Sequence, residues 1–368
     1  MKTYKIHLSN SVGCESTMAE GARVETYLKL NGHRLVDDPA SADFIVVNTC
    51  AFLKVHRERV LKRIRDFNAV APKARIVVMG CVRDISPRLL DGIPIEMACG
   101  HFDINKLDAF FSRKISFESS PSHAFHSSLK KTVVVICRGC SGHCTFCTIN
   151  RSTGGVKSMT PDRILEVAGE AAANGKHDFI FTGDDVGCYG HDIGLTLPML
   201  LNAAKEGFEG SKIMLGNINP KWFNLYIDEL VNFILHPVAT QWLFLSVQSA
   251  SDSVIKAMGR DYSIDETIRN INRLSAVAPV KFYYDIMCGF PGETETDFKK
   301  TLDFIMKYPP SAGMIAAYSP EEGTPAFGMK PHPPEVLNDR MKRLKTVWGA
   351  AQYLLEQSRP GMVGKWGT

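Results

Sequence analysis

Three cysteines, Cys140, Cys144 and Cys147, form a C-x3-C-x2-C run directly after an apolar stretch, Thr132–Ile136. This spacing supplies three thiolates to a four-iron cluster and leaves one iron without a protein ligand. An open iron is a place for chemistry, because S-adenosylmethionine bound there can be cleaved to a carbon radical. Cys137 extends the run to C-x2-C-x3-C-x2-C and raises a structural zinc site as the rival. Zinc ribbons and fingers separate their ligand pairs by about a dozen or more residues, so a three-residue gap fits poorly. Cys137 also continues the apolar strand and reads as a buried thiol.

The elements that must present these thiols read as parallel α/β structure. Six strand candidates follow in series: Thr132–Ile136, Asp178–Phe181, Lys212–Leu215, Trp242–Val247, Phe282–Met287 and Gly313–Tyr318. Helical patterns fall between them at Pro161–Asn174, Trp222–Leu235, Ile264–Ala276 and Glu295–Lys307. Six βα units in residues 131–330 predict an open, partial (β/α)6 barrel. Ligands collect at the carboxyl ends of such strands, and the unusual residues lie there. Thr182-Gly183-Asp184-Asp185 is suited to receiving an ammonium group, and the fourth strand ends at Gln248-Ser249. The fifth leads into Gly289-Phe290-Pro291-Gly292-Glu293, where glycine admits a close backbone approach. The sixth runs into Tyr318-Ser319-Pro320-Glu321. Each of these alone is ordinary turn chemistry; together on one rim they favour a cofactor site.

Residues 1–115 repeat the logic with strands at Thr3–Leu8, Asp43–Val47 and Arg75–Met79 and helices at Ser16–Leu30 and Leu53–Asn68. A parallel sheet follows from that rhythm. Cys14, Cys50 and Cys81 each come just after one of its strands. They are no linear motif, but adjacent parallel strand ends can bring them within reach of one cluster; the alternative is three buried thiols. Residues 116–130, rich in serine, read as a linker. After Pro334 an amphipathic helix, within 331–360, places Leu337, Met341, Leu344, Trp348 and Leu355 on one face. Arg340, Lys342, Arg343 and Lys345 are expected on a solvated opposite face. Cys99, Cys137, Cys188 and Cys288 are expected as packing residues, and His143 as a solvated loop residue.

Composition sets the outer bounds. The chain has 368 residues, ten cysteines and a net charge of +4. No run approaches membrane-spanning length, and Met1–Asn10 lacks the apolar core of a signal peptide. The cysteines therefore point to a reducing, cytoplasmic setting and to metal ligation over disulfides. A charge this modest permits an anionic partner without marking a nucleic-acid-binding module.

With these residues in view, the chain resembles the radical S-adenosylmethionine methylthiotransferases over nearly its whole length. The matching stretches are VGCESTMAE, NTCAF, MGCV, RGCSGHCTFC, FTGDDVGCYGHDIG, SVQSASDSVIKAMGRDYS, CGFPGETETDF and YSPEEGTPA. The resemblance implies a 4Fe-4S cluster at Cys140, Cys144 and Cys147 that cleaves S-adenosylmethionine to a 5′-deoxyadenosyl radical. It implies a second, auxiliary 4Fe-4S cluster at Cys14, Cys50 and Cys81 that holds an exogenous sulfur, from sulfide or polysulfide, for methylation and transfer. Cofactor contacts are expected from Phe146, Thr182, Gly183, Asp184, Asp185, Ser246, Gln248, Gly289, Pro291 and Tyr318. A flavodoxin or ferredoxin is the implied electron donor.

The substrate is less sharply implied. GDDVGCYGHDIG and VQSASDSVIKAMGR resemble enzymes acting at C2 of threonylcarbamoyladenosine beside the tRNA anticodon. NTCAF and YSPEEGTPA resemble equally the branch that modifies an aspartate of a ribosomal protein, and a small molecule is a third option. Two departures weaken a grip on tRNA. Family members continue past Val-Gly-Lys into a small TRAM β-barrel, expected to be absent here because Val363-Gly364-Lys365 is followed by Trp366-Gly367-Thr368. The usual Arg-Gly and Ser-Arg appear as Thr153-Gly154 and Ser158-Met159, and Lys and Arg contacts to phosphate dominate such affinity. A non-catalytic iron–sulfur electron carrier is the reading from another class; the rim of cofactor-like turns counts against it.

Overall fold

The computed structural model describes residues 2–10, 15–51, 54–120, 125–126 and 131–364. The chain divides into two compact units. One holds residues 1–127 with 133–135 and 148–154, the other residues 128–132, 136–147 and 155–368.

The first unit is built on β1 (Lys5–Asn10), β2 (Arg34–Leu35), β3 (Phe44–Thr49), β4 (Arg75–Gly80) and β5 (Met97–Cys99), all paired in parallel in the order β2-β1-β3-β4-β5. Every residue of β3 is buried, as a parallel strand covered on both faces requires. Alternate side chains serve opposite cores. Val46, Val77 and Met79 pack with Tyr27, Leu28 and Phe111 on one face, and Ile45, Val47, Ile76 and Val78 with Val60, Leu61 and Ile64 on the other. The chain steps from β1 to β2 on one side and to β3 on the other. That reversal opens a crevice at the carboxyl ends of β1 and β3. Phe117, inside the stretch read as a linker, is buried in this unit's core and meets Tyr27 edge-on.

The remaining strands are β6 (Phe125–His126), β7 (Thr132–Val135), β8 (Cys137–Arg138), β9 (Lys157–Ser158), β10 (Asp178–Thr182), β11 (Lys212–Leu215), β12 (Asn217–Ile218), β13 (Trp242–Gln248), β14 (Lys281–Cys288) and β15 (Ala312–Ala317). They form the sheets β11-β10-β7-β6 and β12-β13-β14-β15 and the antiparallel pair β8-β9. Gly216 is the break between β11 and β12, and its N–H still reaches the Phe181 carbonyl at 2.8 Å. The expected six-strand series is therefore present, with its third strand interrupted at that glycine. The fold is α/β, as read from the sequence. No helix among the described residues is long and apolar enough to cross a membrane.

Two helical expectations change. The segment Trp222–Leu235 is two helices, Pro220–Leu225 and Ile227–Ile234. The break falls at Tyr226, whose ring stacks on Trp222 and whose hydroxyl meets His191 at 3.3 Å. The basic face of the last helix, Pro334–Ser358, is not solvated throughout. Arg340 is buried, with Nη1 donating to Glu293 Oε2 at 2.7 Å and Nη2 to the Glu293 carbonyl at 3.1 Å. Arg343 pairs with Glu295 and Asp339, leaving Lys342 and Lys345 exposed. Burial holds the Glu293 carboxyl up at about 6 despite Arg340.

Removing one member of a buried pair strands the other charge, at about 3–5 kcal/mol. Arg340→Met is expected to lower stability by about that amount in urea unfolding. Adding Glu293→Leu is expected to recover most of the loss; a double variant no better than the single one would contradict the pairing.

Candidate functional site

The cysteine loop is held at both ends by strand termini. The Ile136 N–H donates to the Thr182 carbonyl at 2.8 Å, joining the strand before the loop to the end of β10. Gly139, at φ 76°, begins the loop, and its N–H donates to Asp184 Oδ2 at 2.6 Å. Gly183 lies so close to Cys137 that a Cβ there would stand 2.7 Å from both its carbonyl oxygen and its Sγ. Further along, the Thr145 N–H donates to the Met258 carbonyl at 2.9 Å, and the Ala326 N–H to the Thr145 carbonyl at 2.8 Å. Cys140, Cys144 and Cys147 are thereby presented half-buried, and His143 is exposed as expected.

The donors aimed at these sulfurs suit thiolates. The Gly142 N–H points at Cys140 Sγ at 3.2 Å, and Arg260 Nη1 at Cys144 Sγ at 3.4 Å. Arg260 also donates from Nη2 to the Ser246 carbonyl at 2.5 Å, while its Nε is buried without a partner. A buried guanidinium with an unspent N–H fits an anionic ligand group such as a carboxylate. Contact with Cys188, burial and the Asp185 carboxylate push the free Cys140 thiol up, and burial pushes up Cys144 against the pull of Arg260. Coordination reverses this, since a metal deprotonates a bound thiol outright.

Asp185 corrects the ammonium reading. It is buried, and its carboxylate is spent on protein donors. Oδ1 accepts the Gly187 and Asn219 N–H groups at 3.1 Å each, and Oδ2 accepts Trp222 Nε1 at 3.0 Å. Oδ2 also lies 3.8 Å from Cys140 Sγ. Its main-chain oxygen receives Cys188 Sγ at 2.9 Å and Cys137 Sγ at 3.6 Å. Among the described residues, Cys140, Asp185 and Cys188 bring their ligand atoms within 4.8 Å of one another. Cys137 and Cys188 are thus more than the packing residues expected, because they line the thiol side of the site. Cys144 and Cys147 stand outside that group, consistent with thiolates that would each serve a different iron.

Around the rim, Ser246 Oγ lies 2.9 Å from Asp285 Oδ2 and 3.0 Å from Asn217 Oδ1, with one hydroxyl proton to give to either. Burial lifts the Asp285 carboxyl to about 6 against its own hydrogen bonds with Ser246 and Asn217. Gln248 has φ 64°, the sole positive φ of a non-glycine among the described residues, at an irregularity in the β13–β14 register. Strain of this kind persists where surrounding structure enforces it, commonly at ligand sites. The Gly289 N–H is tied to Glu293 Oε2 at 2.6 Å, Pro291 is buried, and the Tyr318 hydroxyl donates to the Ala326 carbonyl at 2.8 Å. Phe146 meets Phe290 edge-on within one apolar cluster. Arg260 and Asp285 were not singled out from the sequence, and Cys188 was expected there only as a packing residue. Arg260 alone carried a signal there, as part of the stretch SVQSASDSVIKAMGRDYS; it follows the short helix Asp252–Ala257, well past the end of β13.

In the first unit, β3 and β4 run in register with Thr49 opposite Gly80. Cys50 and Cys81 therefore leave adjacent strands at one level. The Thr49 hydroxyl fixes the level, donating to the Met79 carbonyl at 2.7 Å and accepting the Val82 N–H at 3.2 Å. A Cβ on Gly80, at φ 93°, would stand 2.7 Å from the Thr49 carbonyl. Cys50 Sγ lies 3.8 Å from His56 Nδ1, and Asn48 Oδ1 is buried without a partner just before it. Cys14 lies outside the described residues.

Two family models match the chain: Radical SAM superfamily over residues 134–305 and Uncharacterized protein family UPF0004 over residues 5–99. The chain is 28% identical to the threonylcarbamoyladenosine tRNA methylthiotransferase MtaB of Thermotoga maritima, over 99% of this chain and 85% of that protein. The chain carries a radical SAM domain and is similar over nearly its whole length to proteins named methylthiotransferases. The human threonylcarbamoyladenosine tRNA methylthiotransferase is 27% identical over 91% of this chain, which spans 61% of its length. Among solved structures, the radical S-adenosylmethionine methyltransferase TsrM from Kitasatospora setae superposes with a TM-score of 0.65 at 13% identity, covering 89% of this chain and 77% of that one. That likeness concerns the fold alone. As a radical methylthiotransferase the chain requires a 4Fe-4S cluster and S-adenosylmethionine, and the donor set around the cysteine loop fits both.

A methyl at position 183 would strike the backbone of Cys137 and displace the loop. Gly183→Ala is expected to fold, by circular dichroism, yet to lose most of the iron bound by the Cys140 loop on anaerobic reconstitution. Unchanged iron content would mean that the close approach does not position the thiols.

Proposed function

We propose that this radical methylthiotransferase inserts a methylthio group at C2 of a threonylcarbamoyladenosine-type nucleoside beside the tRNA anticodon. The observation that carries the substrate is the likeness, over nearly the whole chain, to proteins named for that tRNA modification. Cys140, Cys144 and Cys147 hold the cluster that meets S-adenosylmethionine, and Cys14, Cys50 and Cys81 hold a second one. The register that sets Cys50 beside Cys81 supports the second site. When bound, the first cluster supplies one electron to S-adenosylmethionine and the second holds a sulfide- or polysulfide-derived sulfur for transfer.

The chain's own residues order that chemistry. Asp184 pins the entry to the cysteine loop through the Gly139 N–H, and Asp185 fixes the wall behind Cys140. Arg260 is available to the carboxylate of S-adenosylmethionine through its unspent Nε–H. Gln248, Gly289 and Tyr318 complete the cofactor rim, and the apolar Phe146–Phe290 pair keeps water from it. A flavodoxin or ferredoxin in the cytoplasm delivers the electron.

Anaerobic reconstitution with iron and sulfide is expected to give about eight irons per chain, falling to about four when Cys14, Cys50 and Cys81 are changed to alanine. With reductant, both S-adenosylhomocysteine and 5′-deoxyadenosine are expected from the intact protein. Comparison of methylthiolated nucleosides in tRNA from cells with and without the gene tests the substrate; identical profiles would remove tRNA and leave a protein side chain or a small molecule as the target.

A further inference from the structure

The helix after the Cys50 loop, Lys54–Val70, holds six cations, Lys54, Arg57, Arg59, Lys62, Arg63 and Arg65, against two acids, Glu58 and Asp66. Its surplus alone matches the net charge of the whole chain, +4. Two of the arginines are structural. Arg57 is buried and donates to the Ala51 carbonyl at 3.1 Å, and Arg63 donates to the Asn10 carbonyl at 3.1 Å. They clamp the ends of β3 and β1. Arg59, Lys62 and Arg65 are exposed at three-residue spacing, across about 9 Å of helix axis. Arg59 and Arg65 have no ion pair among the described residues. Lys62 pairs with Asp66 at 2.7 Å, but both side chains are well exposed. A pair of that kind is worth about 0.3–0.5 kcal/mol and yields readily to a phosphate.

The stripe begins beside the candidate auxiliary site. His56, Arg59 and Arg63 share a helix face at i, i+3 and i+7; His56 touches Cys50 at 3.8 Å and Arg63 holds the end of β1. The other basic helix, Pro334–Ser358, offers no equivalent, because Arg340 is buried on Glu293 and Arg343 is paired twice. From Glu58 onward the exposed residues of Lys54–Val70 are charged or alanine except Val70 at its C-terminal end, more than a turn beyond Arg65. A protein partner needs apolar or aromatic anchors, whereas phosphate contacts work by charge alone.

We propose that Arg59, Lys62 and Arg65 form a phosphate-backbone contact for the RNA substrate, on the exposed side of the helix that covers one face of the sheet carrying Cys50 and Cys81. This rests on the tRNA reading above. The test uses the reconstituted full chain and unfractionated tRNA, with affinity measured over a KCl series. The triple variant Arg59→Gln, Lys62→Gln, Arg65→Gln is expected to bind more weakly and to lower the slope of log K against log salt by about 3, one unit per contact removed. Lys342→Gln with Lys345→Gln is expected to leave the slope unchanged. Circular dichroism of all variants should match the parent. A triple variant with the parent's affinity and slope overturns the proposal while leaving the tRNA reading intact, even if it loses affinity for an acidic flavodoxin-type protein. A parent that binds no tRNA at any salt overturns the tRNA reading and, with it, the proposal.

Discussion

The carboxylate of Asp185 is the interaction on which the radical-site unit depends. It gathers N–H groups from three positions, Gly187, Asn219 and Trp222, and stands against Cys140. Its carbonyl collects two further thiols. A buried carboxylate is tolerated only when its lone pairs are spent in this way. The donors come from the loop after β10 and from the turn after β12, so the charge ties two strand ends to the first cysteine. Trp222 can approach only because residue 187 has no side chain; a Cβ there would stand 2.4 Å from the indole. Loss of this anchor would leave three donors unpartnered in the wall behind Cys140.

Both units place reactive thiols by one geometric rule. Parallel strands end at one edge, and loops from neighbouring strands meet there. In the first unit the Thr49 hydroxyl sets the level of Cys50 and Cys81. In the second, short hydrogen bonds to Gly139 and Gly289 hold the loop entries.

Much of this was legible because the signals are local. The C-x3-C-x2-C run, the apolar strand patterns and the glycine-rich turns each announce themselves within a few residues, and the alternation of strands with helices implies parallel pairing. Arg340 was misread because its partner, Glu293, is 47 residues away; a charge on a helix face carries no mark of the acid that will bury it. Asp185 was assigned to a ligand for the same reason, since the N–H groups that consume it belong to Asn219 and Trp222. Cys188 looked like packing until β10 brought it against Cys140. The split at Tyr226 depends on an aromatic stack and a distant histidine, neither of which alters helical periodicity.

The central claim is that three thiolates at the Cys140 loop leave one iron open to S-adenosylmethionine. Mössbauer spectroscopy of the 57Fe-reconstituted Cys14→Ala, Cys50→Ala, Cys81→Ala variant tests it most directly. The account predicts that adding S-adenosylmethionine changes the signal of one iron in four, because one alone lacks a protein ligand. Four irons that do not respond to S-adenosylmethionine would mean a fully ligated cluster and would contradict it.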